Sequence, residues 1–341
     1  MGAAISTFAR SFPIDGVDDR VLEENPWFRD ILMHWRPAGD SVQKGTSKTH
    51  NDVASASVSN EDPERLRLAI RDGYLNFYRS GQSVAKVGFG RDGGLQARIH
   101  NKYLRGDQGF GRVYDTVTAA GVPDQETSEL RGYDGPTDLL NWISNANLHV
   151  GKEKRFVDLV VARNPDTIDL EMALPAYLLD PKDRKSPRMD LVVLEPVDDR
   201  WRIVFWEAKL VDDSRARCRG AQPPEVIKQL AQYTTWLGHA GHHELVAAAY
   251  QNVCRLLVEF REIAKGVNPE IEELGPGIVA AAASDAPALL IDDKPRLLID
   301  DRLGNGSFTK NGHLQKLRDE PCNLHVQMVT ELDDMILEVR A

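Results

Sequence analysis

Apolar and polar positions along this chain follow two periods, and the stretch from Arg188 to Trp236 contains both. Arg188 to Leu194 is an apolar run opened by Asp190, and Trp201 to Leu210 is a β-branched and aromatic run. Each predicts a buried strand. Val226 to Leu237 has helical period, with Gln229 and Tyr233 four apart on one face. Strand side chains alternate, so Glu207 and Lys209 share one face while Trp206, Ala208 and Leu210 share the other. Asp190, on the neighbouring strand, is expected to lie beside Glu207.

The rest of the chain divides by the same criteria. A short amphipathic helix is expected around Trp27, Ile31 and Trp35, followed by a Ser-, Gly-, Asn- and Thr-rich linker from Gly39 to Asn60. Asp62-Pro63-Glu64 reads as a helix start, with Leu66, Leu68 and Ile70 following. Tyr74 to Arg79 and Gln82 to Val87 flank Ser80-Gly81, which signals a hairpin. Gly88 to Gly93 matches G-x-G-x-x-G, but it runs into the strand-like Leu95 to Ile99 instead of opening a helix, so a hairpin turn is expected there. Helices follow at Pro136 to Asn145 and Gly151 to Arg163, then an apolar run from Ile168 to Leu179. After the motif stretch come a polar His-rich turn at Gly238 to His243 and a helix from Leu245 to Lys265. Short strands are expected at Pro287 to Ile291 and Pro295 to Ile299, a helix at Asn311 to Arg318 and a last strand at Asn323 to Val329. The expected organisation is residues 1–62 as helix and linker, 63–148 as a basic α+β domain, and 149–341 as an α/β domain with a mixed sheet flanked by helices.

Charge alters this picture locally. The chain carries a formal net charge of −10 over 341 residues, which argues mildly against a nucleic-acid partner. Between Glu64 and Arg112, however, ten Lys and Arg stand against four acids. Aromatic residues (Tyr74, Phe77, Tyr78, Phe89, Tyr103) interleave with them, as on a nucleic-acid surface or as ordinary sheet aromatics packing inward. Arg79, Lys86 and Arg98 are the candidate phosphate contacts. No stretch is apolar enough to span a membrane. The three cysteines, Cys218, Cys254 and Cys322, lack metal-ligand spacing, which points to a reducing, cytoplasmic setting. Met1 to Ser6 fits the short myristoylation pattern.

Two carboxylates and a backbone carbonyl, from Asp190, Glu207 and Ala208, make an all-oxygen corner suited to Mg²⁺, with Mn²⁺ as a substitute. Lys209 beside them can orient or help deprotonate an attacking water and offset phosphate charge. The bland alternative is a cross-face ion pair between Glu207 and Lys209. That alternative leaves unexplained why the pair lies between large apolar residues, where an unpaired charge is costly. Three other D-x-K matches (Asp180 to Lys182, Asp183 to Lys185, Asp292 to Lys294) stand in turn-like contexts.

At Asp190, Glu207-Ala208-Lys209 and Gln229-Leu230-Ala231-Gln232-Tyr233, the chain resembles the PD-(D/E)XK nuclease superfamily, in its branch with a Q-x-x-x-Y helix. The likeness covers roughly Lys152 to Leu237, with Val329 as its outer limit, and has Met189 where the superfamily often has proline. It implies a restriction-endonuclease-like core and metal-dependent phosphodiester hydrolysis, with DNA favoured as substrate and defence or restriction as a setting. Gln229 and Tyr233 would support the site or touch the nucleic-acid backbone. A glutamate on the helix before the sheet makes Glu153 the candidate third acid, with helix capping as the alternative role and Glu171 as its rival. A catalytically silent nucleic-acid-binding or protein-interaction module on the same fold is the other reading. Partner proteins and self-association stay open.

Overall fold

The computed structural model describes residues 8–40, 62–104, 113–124, 127, 129–174, 188–218, 223–304 and 306–340. The myristoylation pattern, most of the linker, Arg105, Arg112, Arg219 and the D-x-K matches at 180–185 lie outside the described residues.

Two sheets form the frame. The first is a five-stranded antiparallel meander of β1 (Arg67–Ile70), β2 (Leu75–Arg79), β3 (Gln82–Phe89), β4 (Leu95–His100) and β5 (Tyr114–Thr118). Ser80 and Gly81 take positive φ of 40° and 73°, as a two-residue hairpin turn between β2 and β3 requires. Gly90 to Gly94 closes the next hairpin through Gly90 N–H donating to the Gly94 carbonyl. The glycine-rich match is therefore a turn between antiparallel strands. A two-residue ribbon, β6 (Val122–Pro123) with β7 (Leu130–Arg131), follows.

One expectation fails at the entry to this sheet. Asp62-Pro63-Glu64 starts no helix; it turns directly into β1. Leu66, Leu68 and Ile70 are spaced by two, the period of a strand, and that spacing prevails over the capping signal. Their faces differ sharply in chemistry. Leu66, Leu68 and Ile70 join the apolar core, whereas Arg65, Arg67 and Arg71 alternate with them and are buried in ion pairs.

The second sheet is mixed, with strand order β13-β12-β10-β9-β8 and β11 also paired to β10. It comprises β8 (Thr167–Ala173), β9 (Arg188–Val197), β10 (Arg200–Leu210), β11 (Leu290–Ile291), β12 (Arg296–Asp300) and β13 (Val326–Val329). The first three run antiparallel; β12 lies parallel to β10, and β13 parallel to β12. A parallel neighbour requires a crossover, which the helices Glu225–Leu237, His242–Val267 and Pro276–Ala282 supply. Leu191, Val193, Val204 and Trp206 bury one sheet face beneath Phe156, Val157 and Val160 of the helix Lys152–Val161. Val192, Leu194, Ile203 and Phe205 belong to the larger core on the other face. The helix expected at Asn311 to Arg318 is two short ones, Ser307–Lys310 and His313–Arg318, separated at Gly312 with its φ of 73°.

That larger core runs through all three expected segments. Phe28, on the helix Pro26–His34, meets Phe77 of β2 at 6.4 Å and Phe260 of the long helix at 6.1 Å between ring centroids. Buried ion pairs also tie the sheets together. Asp158 holds Arg65 at 2.9 Å and Arg67 at 3.2 Å, Asp40 holds the same two arginines, and Asp169 of β8 binds Arg71, Arg10 and the Tyr250 hydroxyl.

Candidate metal centre

The register of β9 and β10, with Trp206 opposite Leu191, brings Asp190 against the Glu207–Ala208 peptide. Asp190 Oδ2 accepts the Ala208 N–H at 2.9 Å. Glu207 is 3% exposed and Lys209 1%, so both charges are buried. The Lys209 ammonium donates to Glu207 Oε1 and, at 2.8 Å, to the Ala208 carbonyl. Glu207 Oε2 is buried without a hydrogen bond of good geometry, although the Gln229 amide lies near enough to favour the anion. Burial, followed by the neighbouring Asp190 charge, holds the Glu207 carboxyl well above the usual carboxylate range despite Lys209. Burial works against the Lys209 ammonium, but Glu207, Asp190 and Glu153 outweigh it and raise its pKa.

The helix Lys152–Val161 contributes two side chains at this corner. Glu153 Oε2 lies 3.7 Å from Lys209 Nζ and 3.4 Å from Arg215 Nη2. Burial raises the Glu153 carboxyl, and Lys209 opposes that shift. Lys154 was not singled out by the sequence, yet its ammonium bridges Asp190 Oδ1 at 2.7 Å and Glu171 Oε1 at 2.5 Å. One residue after Glu153 in a polar first turn, it resembles any solvated helix-start lysine, and only the fold reveals its partners. Glu171 has a φ of 52°, in the left-handed region, beyond a register irregularity in β8. Strain of this kind persists where the surroundings enforce it. The two candidate third acids thus pair with different lysines, Glu153 with Lys209 and Glu171 with Lys154.

Gln229 and Tyr233 anchor the motif helix. Gln229 Nε2 donates to the Arg188 carbonyl at 2.9 Å, and the buried Tyr233 hydroxyl donates to the Met172 carbonyl at 3.0 Å. Their spacing of four serves to seat one helix face on β8 and β9. Of the basic trio, Arg98 is exposed and Lys86 half-buried, each over the Tyr114 ring. Arg79 differs: it is 5% exposed, donates to Asn147 Oδ1 at 2.7 Å and to the Asp62 carbonyl, and stands 3.7 Å from Asp158. A guanidinium so enclosed stabilises the interior and is not displayed to a phosphate. Four of the ten cations in the positive window, Arg65, Arg67, Arg71 and Arg79, are spent in the same way, on Asp40, Asp158 and Asp169.

Hard oxygen donors, one of them a buried orphan, fit a small divalent cation that keeps several waters. Among the described residues no three His, Cys, Asp or Glu side chains gather into a metal cluster, so protein ligands would be the two carboxylates and the Ala208 carbonyl. Ammonium groups already contact three of those donors, and a cation would have to displace or share them. Among the described residues no helix is long and apolar enough to cross a membrane. No family model, no curated protein and no solved structure matches the chain.

Proposed function

We propose that the protein is a divalent-metal-dependent nuclease, with a restriction-endonuclease-like core formed by the second sheet and its helices. The observation that carries this reading is the convergence of Asp190, Glu207, the Ala208 carbonyl and Lys209 on one buried corner, with Glu207 Oε2 lacking a hydrogen bond of good geometry. Three antiparallel strands, a helical crossover and two parallel strands support it, in the order that the Asp, E-x-K and Q-x-x-x-Y motifs require. Asp190, Glu207 and Ala208 would hold Mg²⁺ or Mn²⁺, which supplies Lewis-acid stabilisation of a scissile phosphate and lowers the pKa of water. Lys209 would orient the attacking water and meet developing negative charge. Glu153, joined to Lys209 and Arg215, would set the position of that ammonium.

A panel of linear and circular, single- and double-stranded DNA and RNA, with Mg²⁺, Mn²⁺ or EDTA, tests the assignment. Cleavage in the metal lanes alone supports it; no cleavage of any substrate favours the silent binding module. The Lys154 and Lys209 contacts are the observation on that second side, because they neutralise the acids without a metal.

Lys209→Met separates the roles. An ammonium cannot be a metal ligand, so Mn²⁺ binding should persist while cleavage falls about 10²- to 10⁴-fold, the range for losing a positioned proton-transfer group. Calorimetric titration beside a cleavage assay reads both. Loss of metal binding with the lysine would assign it a structural role in the strand.

A further inference from the structure

The polar face of the first sheet opens onto a cleft of about 350 Å³ whose far wall includes Glu171 of β8 and Arg188 of β9. Period-two alternation produces that face. Leu75, Phe77, Val87, Ala97 and Ile99 point into the core, whereas Asn76 pairs across the strands with Lys86, and His100 with Tyr114. The cleft therefore lies between this sheet and the metal corner, since Glu171 shares Lys154 with Asp190.

Its charge is selective. Arg10 and Arg71, also in the lining, are paired with Asp169 and hold the fold. Lys86 and Lys102 form no ion pair among the described residues; their ammonium groups sit 5.0 Å and 4.8 Å from the Tyr114 and Tyr103 ring centroids. Arg188 has a 68% exposed side chain and reaches Glu171 only at 3.9 Å. Three available cations thus face one acid that Lys154 already neutralises, on a chain whose net charge is −10. Half-buried rings of Tyr74, His100 and Tyr114 line the same space.

Resting on the nuclease reading for the identity of the polymer, we infer that this cleft takes one nucleotide of a single strand, and that the substrate is single-stranded or frayed nucleic acid. Cations that track phosphate, combined with rings on which bases stack, are how single strands are held without sequence preference. The volume lies at the lower end of the roughly 300–1,000 Å³ of small-ligand pockets, which suits one unpaired nucleotide.

The test is fluorescence anisotropy of the full chain in EDTA, with labelled oligo-dT, oligo-rU and a blunt DNA hairpin as probes. Either single strand should bind at least about tenfold more tightly than the hairpin, and the stronger of the two identifies the polymer. Tyr114→Leu should weaken single-strand binding about five- to hundredfold, the effect of losing one stacked base. Lys86→Ala with Lys102→Ala should flatten the salt slope by about 1.4, at roughly 0.7 per phosphate contact. Thermal melting confirms that the variants fold, and the wild-type comparison needs no variant. Equal affinity for hairpin and single strands, unchanged binding in folded variants, or a mononucleotide that binds as tightly as the oligomers would each overturn the assignment. Because EDTA removes cleavage, these outcomes stand apart from the fate of the nuclease reading.

Discussion

Asp190→Asn should lower metal-dependent cleavage about a thousandfold and leave the fold intact. A carboxylate ligand contributes several kcal/mol of charge stabilisation through its metal, and each ~1.4 kcal/mol is a factor of ten in rate. The amide can still accept the Ala208 N–H that Asp190 Oδ2 takes at 2.9 Å, and Lys154 retains Glu171. Glu207→Gln is a poorer probe of the same chemistry. From the sequence, removing either carboxylate relieves repulsion within the pair. In the structure Glu207 is the main counter-charge of a lysine only 1% exposed, and removing one partner of a buried pair costs about 3–5 kcal/mol. Single-turnover cleavage with paired melting curves separates the two. Wild-type rates in Asp190→Asn would remove Asp190 from the site.

Asp158→Ala should cost about 3–5 kcal/mol of stability, the effect of leaving buried cations without their carboxylate. Its oxygens meet Arg65 at 2.9 Å, Arg67 at 3.2 Å, the Ser80 hydroxyl at 3.1 Å and Arg79 at 3.7 Å. Asp40 remains for two of these arginines, which keeps the loss within that range. Burial alone would raise the Asp158 carboxyl, yet Arg65, Arg67 and Arg79 outweigh it and hold the group far below the usual carboxylate range. A depressed folded pKa gives stability that is fully present above the unfolded value of about 3.9 and lost as pH falls towards the folded one. Urea unfolding should thus show wild type losing stability below about pH 4 more steeply than Asp158→Ala. Parallel pH profiles for the two chains would contradict this origin of the acid sensitivity.

The sequence disclosed those parts of the molecule in which one residue's neighbours lie close along the chain. Asp190, Glu207, Lys209 and the helix face of Gln229 and Tyr233 were placed by alternation and period alone, and the hairpin at Ser80-Gly81 by its turn chemistry. What stayed hidden depends on tertiary pairing. Arg65, Arg67, Arg71 and Arg79 contribute positive charge to a window of sequence, but Asp40, Asp158 and Asp169, distant in the chain, draw them inside. Lys154 was hidden because no local period points from its helix to Asp190 and Glu171, which meet it only where that helix packs on the second sheet. At Asp62-Pro63-Glu64 a capping signal competed with period two over Leu66, Leu68 and Ile70, and the strand prevailed because it buries its apolar row in the core. The sequence leaves open whether the aromatics of the first sheet pack inward or face a partner, and only the approach of β8 and β9 turns the polar face into a cleft.

The most direct measurement of the metal assignment is calorimetric titration of Mn²⁺ into the wild-type chain and into Asp190→Asn under matched buffer conditions. The metal assignment requires saturable binding in wild type, with affinity reduced at least about tenfold when one carboxylate is removed, in line with the weakening seen even for groups that only support a metal ligand. Binding that is absent from wild type, or identical in the two chains, would contradict a metal centre at this corner.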